Sequence, residues 1–157
     1  YDYTDTFKPD SEYMMNYWCW GEDNSSVSWE FDITRDGFDY ATQDVSFAKV
    51  GLTLEDDEGY DFIELAEFSV GQDYWWGEVD TGNYSFGLSV TSLAELNEDG
   101  TIDATLTSFW GDFNFKESTL YASTQPVPEP ATMLLFGSGL VCLAGIARRR
   151  KSAKIRA

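Results

Sequence analysis

From residue 1 to about residue 125 the chain alternates apolar and polar side chains, and this period of two limits its fold more than any other feature. Val27, Trp29, Phe31 and Ile33 point one way, while Ser28, Glu30 and Asp32 point the other. Tyr84, Phe86, Leu88 and Val90 repeat the pattern across Ser85, Gly87 and Ser89. Successive side chains of a strand leave on opposite faces, so a sequence of this kind buries one face of a sheet and wets the other. Further strands are expected over 13–20, 45–54, 62–70, 74–79, 101–109 and 112–122. Turn pairs Asp36-Gly37, Glu58-Gly59, Thr81-Gly82 and Asp99-Gly100 separate them. No stretch before 126 holds a helical period, although 62–68 and 92–97 are short enough to read either way. Roughly eight short strands between polar turns predict a mainly β chain, an antiparallel β-sandwich of the jelly-roll kind.

Composition removes whole classes of function. The 157 residues carry 28 acidic and 10 basic side chains, a net charge of −18, and no His. A chain so acidic repels phosphate backbones, which excludes nucleic acid as a partner of its main part. The lack of His excludes Ser-His-Asp and Cys-His triads and His-ligated zinc. Disorder does not follow from the charge, because 17% aromatic residues supply a core that disordered chains lack. Cys19 and Cys142 fall in segments of different character and are not expected to pair. Neither has a basic neighbour to lower its pKa, so neither reads as a catalytic thiolate.

The charge is divided unequally along the chain. Residues 1–126 hold 27 acidic and four basic side chains, net −23, whereas 127–157 hold Glu129 and six basic side chains, net +5. From Ala131 to Ala147 no residue is charged, and Arg148, Arg149, Arg150 and Lys151 follow at once. Seventeen uncharged residues reach the lower limit for a bilayer-spanning helix. The basic cluster should halt transfer on the cytoplasmic side and place residues 1–126 across the membrane. The expected layout is an acidic sandwich ectodomain over 1–123, a linker over 124–130, a transmembrane helix over 131–147 and a basic cytoplasmic tail over 148–157. The chain opens on Tyr1 without a basic and apolar leader, as expected of a processed form or fragment of an exported protein.

Immediately before the apolar run stand Val127, Pro128, Glu129 and Pro130, followed by Ala131 and Thr132. Pro-Glu-Pro, a short apolar segment and an Arg-rich end, in that order and spacing, resemble the PEP-CTERM sorting signal of Gram-negative bacteria. The resemblance covers about the last fifth of the chain. It implies export through the inner membrane, retention by the apolar segment and cutting near Pro-Glu-Pro by an exosortase. It also implies a setting at the cell surface or in an extracellular, biofilm-associated matrix. Pro128 and Pro130 fix an extended backbone that cannot join the following helix, which keeps the cutting site accessible. A permanent, uncut anchor is the alternative use of the same segment.

Within 1–126 three groups of residues invite chemistry. Asp56, Asp57 and Asp61 in one acidic stretch, and Asn97, Asp99 and Asp103 in another, supply the oxygens that calcium takes from a tight loop. A hairpin turn explains the second stretch more cheaply. Trp75, Trp76 and Trp110 are candidates for a polysaccharide-stacking platform, since adjacent Trp75 and Trp76 must face opposite ways in a strand. Filling the core is the competing role for such aromatics. Glu64 with Glu67, and Glu78 with Asp80, are the carboxylate pairs a glycosidase would need, but so acidic a chain produces such pairs by chance. The expected protein is therefore not an enzyme and has no resident cofactor. It is either a self-associating surface or matrix subunit or a carbohydrate- or calcium-binding module.

Overall fold

A computed structural model describes residues 1–10, 13–16, 25–56, 63–127 and 134–143. The chain divides into two compact units, Tyr1–Gln125 and Pro126–Ala157.

In the first unit the strands are β1 (Asp2–Phe7), β2 (Tyr13–Asn16), β3 (Ser26–Asp32), β4 (Gln43–Asp56), β5 (Leu65–Val70), β6 (Asp73–Glu78), β7 (Gly82–Gly87), β8 (Thr101–Trp110) and β9 (Asp112–Pro126). One sheet runs β1-β9-β4-β7, with β2 also on β9, and the other runs β3-β8-β5-β6. Pairing between β1 and β9, β2 and β9, β4 and β7, β3 and β8, β5 and β8, and β5 and β6 is antiparallel. With β1 and β2 taken together along β9, this is the strand order of a jelly roll. Two antiparallel sheets therefore face each other, as the alternation requires.

The two inner faces close on an aromatic centre. Trp29 of β3 stacks on Phe7 of β1 at 5.0 Å and on Phe115 of β9 at 5.1 Å, and Phe31 meets its edge at 6.0 Å. Phe31, Phe68, Phe113, Phe115, Leu52, Leu106 and Leu120 are fully buried around it. Hydrophobic burial of this kind is the main stabilising force in a domain of this size.

The expected strands mostly form, with shifted ends. The strand beginning at Val27 stops at Asp32, and Ile33–Asp36 turn into a 3₁₀ helix. Asp32 caps that helix, its carboxylate accepting from the Thr34 amide at 3.0 Å, and Gly37 ends it at φ 94°. β9 continues to Pro126, so the sheet reclaims the residues just after 123 that the sequence reads as linker. Of the 62–68 stretch, 65–68 belong to β5, whereas 92–97 does not join a strand.

It lies in a helix that the period does not announce, α1 (Val90–Asp99). The start and stop are better marked than the middle. Ser89 accepts from the Ser92 amide as N-cap, and Gly100 closes the end at φ 85°. Only Leu96 and Ser92 of the helix are buried, so the apolar stripe is too thin for a periodicity argument. Asn97 ties α1 to β4 with a two-way bond, its side chain accepting from the Val45 amide at 2.6 Å and donating to the Val45 carbonyl at 3.1 Å.

In the second unit residues 134–143 are helical, with Leu134, Leu135, Phe136 and Val141 exposed. The remainder of the 131–147 expectation lies outside the described residues. Among the described residues no helix is long and apolar enough to cross a membrane.

Candidate functional site: the outer face of the four-stranded sheet

Strand register sets which side chains share the outer face of β3-β8-β5-β6. Glu67 sits between Trp76 on β6 and Thr107 on β8, and Thr107 faces Ser26 on β3. The next row is Tyr74, Ser69, Thr105 and Ser28. Beyond it Asp103 stands opposite Glu30. At the other end, past a bulge between Leu65 and Ala66, Trp110 faces Leu65 and Leu65 faces Glu78.

The face is thereby divided into two halves. Tyr74 is 74% exposed, Trp76 62% and Trp110 46%, so three large aromatic side chains stand in solvent on one surface. Tyr74 and Trp76 are about 7 Å apart along β6, and Trp110 lies two strands away, about 10 Å across the sheet. The other half is polar. A shallow depression of about 420 Å³ is lined by Ser28, Glu30, Asp103 and Thr105 together with Trp29. Hydroxyl pairs stiffen this half, with Ser28 and Thr105 bonded at 2.8 Å and Ser26 and Thr107 at 3.1 Å. Glu30 and Asp103 are like charges directly across a strand pair, an arrangement that costs stability.

The structure separates the three tryptophans named from sequence. Trp76 and Trp110 share the outer face. Trp75 turns inward and packs against Tyr84 at 5.5 Å and Phe86 at 5.4 Å. Tyr74 joins the platform, and the alternation of β6 could have supplied it, because Tyr74 is two residues from Trp76.

The described members of the acidic stretches do not form one cluster. Asp56 ends β4 exposed, its amide bonded to the Thr81 hydroxyl at 2.9 Å, while Asp57 and Asp61 lie outside the described residues. Asn97 is engaged with Val45. The Asp99 carboxylate accepts from the amide and hydroxyl of Thr101 at 2.9 and 2.8 Å, and Asp103 faces outward from β8. Among the described residues no group of three or more His, Cys, Asp or Glu side chains is placed to hold a metal ion. Glu64 and Glu67 are split as well: Glu64 is buried, whereas Glu67 belongs to the outer face.

Two carboxylates on other parts of the sandwich are held below their usual range. Asp32 is lowered chiefly by hydrogen bonds from Thr34, with Arg35 at 2.9 Å adding a further pull. Asp2 is lowered by hydrogen bonds from Ser123 and Tyr121, and the same contact raises the Tyr121 hydroxyl. Both pairs fasten strand ends and turns rather than the outer face.

Fold and face together define a two-sheet antiparallel sandwich with an exposed aromatic platform, followed by a separate C-terminal unit. That second unit carries a sorting signal: residues 126–151 match the PEP-CTERM protein-sorting motif. The motif implies export and exosortase processing. Val127 is exposed, while Pro128, Glu129, Pro130, Arg148, Arg149, Arg150 and Lys151 lie outside the described residues.

The chain has distant structural likenesses. One is a carbohydrate-binding module from the family 9 glycoside hydrolase Cel9A of Ruminococcus flavefaciens FD-1, at 13% identity and TM-score 0.42, over 78% of this chain and 98% of that one. Another is the Tobacco streak virus coat protein, at 11% identity and TM-score 0.36, over 82% of this chain and 88% of that one. A third is TmCBM61 in complex with β-1,4-galactotriose, at 12% identity and TM-score 0.29, over 66% of this chain and 62% of that one. Likeness at this level says nothing about a ligand. A search of curated proteins returns no match.

Proposed function

We propose that this chain is a non-enzymatic protein exported to the cell surface or extracellular matrix, where its sandwich binds neutral polysaccharide on the outer face of the four-stranded sheet. The observation that carries the reading is the exposure of Tyr74 and Trp76 side by side on β6, with Trp110 on the same face. Large aromatic side chains left in water are costly unless they meet a partner. A sugar ring suits them, because it offers C–H groups on its faces and hydroxyls on its rim. Glu67, Glu30, Asp103 and the Ser and Thr rows supply acceptors and donors for that rim. The charge of the first 126 residues favours a neutral polymer over an anionic one, which it would repel. In this reading the apolar run from 131 to 147 holds the precursor in the inner membrane until an exosortase cuts it.

Retention of the full chain on cellulose, xylan, mannan and galactan, in a detergent without a sugar headgroup, tests the binding. At least one polymer should retard the protein, and Trp76→Ala should abolish the effect. Indifference to all four polymers would remove the reading. A second reading is a self-associating subunit, favoured by β6 ending its sheet among the described strands. It predicts assembly that grows with protein concentration and needs no glycan.

A further inference from the structure

The inner side of β6 holds a second feature. Its alternation sends Tyr74, Trp76 and Glu78 outward and turns Asp73, Trp75 and Gly77 toward the space between the sheets. β6 and β7 each end their sheet among the described strands, so the sandwich opens between them. There a cleft of about 260 Å³ is lined by Phe68, Val70, Asp73, Tyr74, Trp75, Phe86 and Gly87. Phe68 and Val70 are its buried floor. Gly77 explains why the cleft is not filled. A Cβ there would lie 2.7 Å from the Trp75 ring, so the indole leans over Gly77 and leaves the Asp73 end of the strand open.

We propose that this cleft binds a single pyranose ring, with Trp75 and Phe86 as apolar walls and the Asp73 carboxylate accepting a ring hydroxyl. This deepens the glycan reading of the outer face and assigns a second site on the other side of the same strand. The walls and floor are apolar, and the carboxylate is fixed. Asp73 Oδ2 accepts from the Ser89 amide at 2.7 Å, at the start of α1. The Ser89 and Ser92 side chains bond it as well, and since an ionised carboxylate offers about four acceptor sites, about one remains for a ligand hydroxyl. An apolar ligand would make no use of the remaining acceptor site of Asp73, and an anion would be repelled by it. A lone carboxylate is too few oxygens for calcium, which takes about six to eight. The volume lies just under the roughly 300–1,000 Å³ of ordinary small-molecule sites, which fits one ring and not a chain.

The test is an NMR titration of the full chain with glucose, galactose and mannose, in a detergent without a sugar headgroup. With at least one hexose, the amides of Asp73, Trp75 and Phe86 and the Trp75 indole should shift and saturate. Asp73→Asn keeps an oxygen for the Ser89 amide and should weaken the hexose roughly tenfold. Trp76→Ala should bind hexose as wild type does, even where it has lost polymer retention, so the two sites can fail separately. Three results overturn the proposal: no saturable shift at these residues with any hexose, shifts confined to Glu67, Trp76 and Thr107, or undiminished binding by folded Asp73→Asn. If Asp73→Asn does not fold, the location of the wild-type shifts decides. Shifts along β6 that grow with protein concentration alone indicate a second copy on that edge and also overturn it.

Discussion

Trp75 and Trp76 are neighbours in sequence with opposite environments, and replacing each with Ala should separate stability from binding. Trp75 is half-buried, leans on Gly77 and touches Tyr84 and Phe86. Removing a fully buried Trp costs about 3–5 kcal/mol, so half-burial puts Trp75→Ala near 2–3 kcal/mol. With urea m-values of about 1–3 kcal/mol/M, the unfolding midpoint should fall by roughly 1–2 M. Trp76 is 62% exposed. A surface substitution of this kind changes stability by no more than about 0.5 kcal/mol, within the spread of a urea curve. Circular dichroism in urea measures the first effect, and polysaccharide retention measures the second. Equal midpoints for the two variants, or a larger loss from Trp76→Ala, would show that β6 does not present these faces and would refute the reasoning.

Gly71, in the turn between β5 and β6, has φ 53°, and a Cβ there would lie 2.9 Å from Ile102 Cδ1 and 3.0 Å from Ser92 Oγ. Gly71→Ala should therefore destabilise by at least about 1–2 kcal/mol in urea unfolding, whereas Gly82→Ala, which meets open space, should be neutral or slightly stabilising. Asp73 has a lowered pKa. Burial alone would raise it, but hydrogen bonds from the Ser89 amide and from the Ser89 and Ser92 side chains together prevail. The resulting stability is present above the unfolded value of about 3.9 and is lost as pH falls through the lower folded value. The stability gap between wild type and Asp73→Asn should thus be constant above about pH 5 and shrink below pH 4. Mass spectrometry of the secreted protein should find a C-terminus among residues 127–130, and an intact Ala157 would contradict processing.

The sequence makes the sandwich legible because its strands are long enough for alternation to register. It hides α1, whose caps at Ser89 and Gly100 are clear but whose buried stripe is little more than Ser92 and Leu96. It also hides β1, where Asp5 interrupts the apolar side of Tyr3 and Phe7. That carboxylate accepts from the Asp32 amide at 2.7 Å, a contact no local pattern can show. The opposition of Trp75 and Trp76 follows from strand geometry alone, but which of them turns inward depends on the register of β6 against β5. The grouping of Asn97, Asp99 and Asp103 as one loop fails for the same reason. A helix end and the start of β8 intervene, and Asn97 is drawn to Val45 on a distant strand. The C-terminal signal is the easiest part to read, because its order of motif, apolar run and basic end depends on no tertiary contact.

The most direct test of the glycan-binding account is a titration of the ¹⁵N-labelled full chain with a soluble neutral oligosaccharide from whichever polymer retains it. The account predicts saturable shifts at Tyr74, Trp76, Glu67 and Thr107 and at the Trp110 indole. Shifts confined to the β1-β9-β4-β7 sheet, or none, would contradict it.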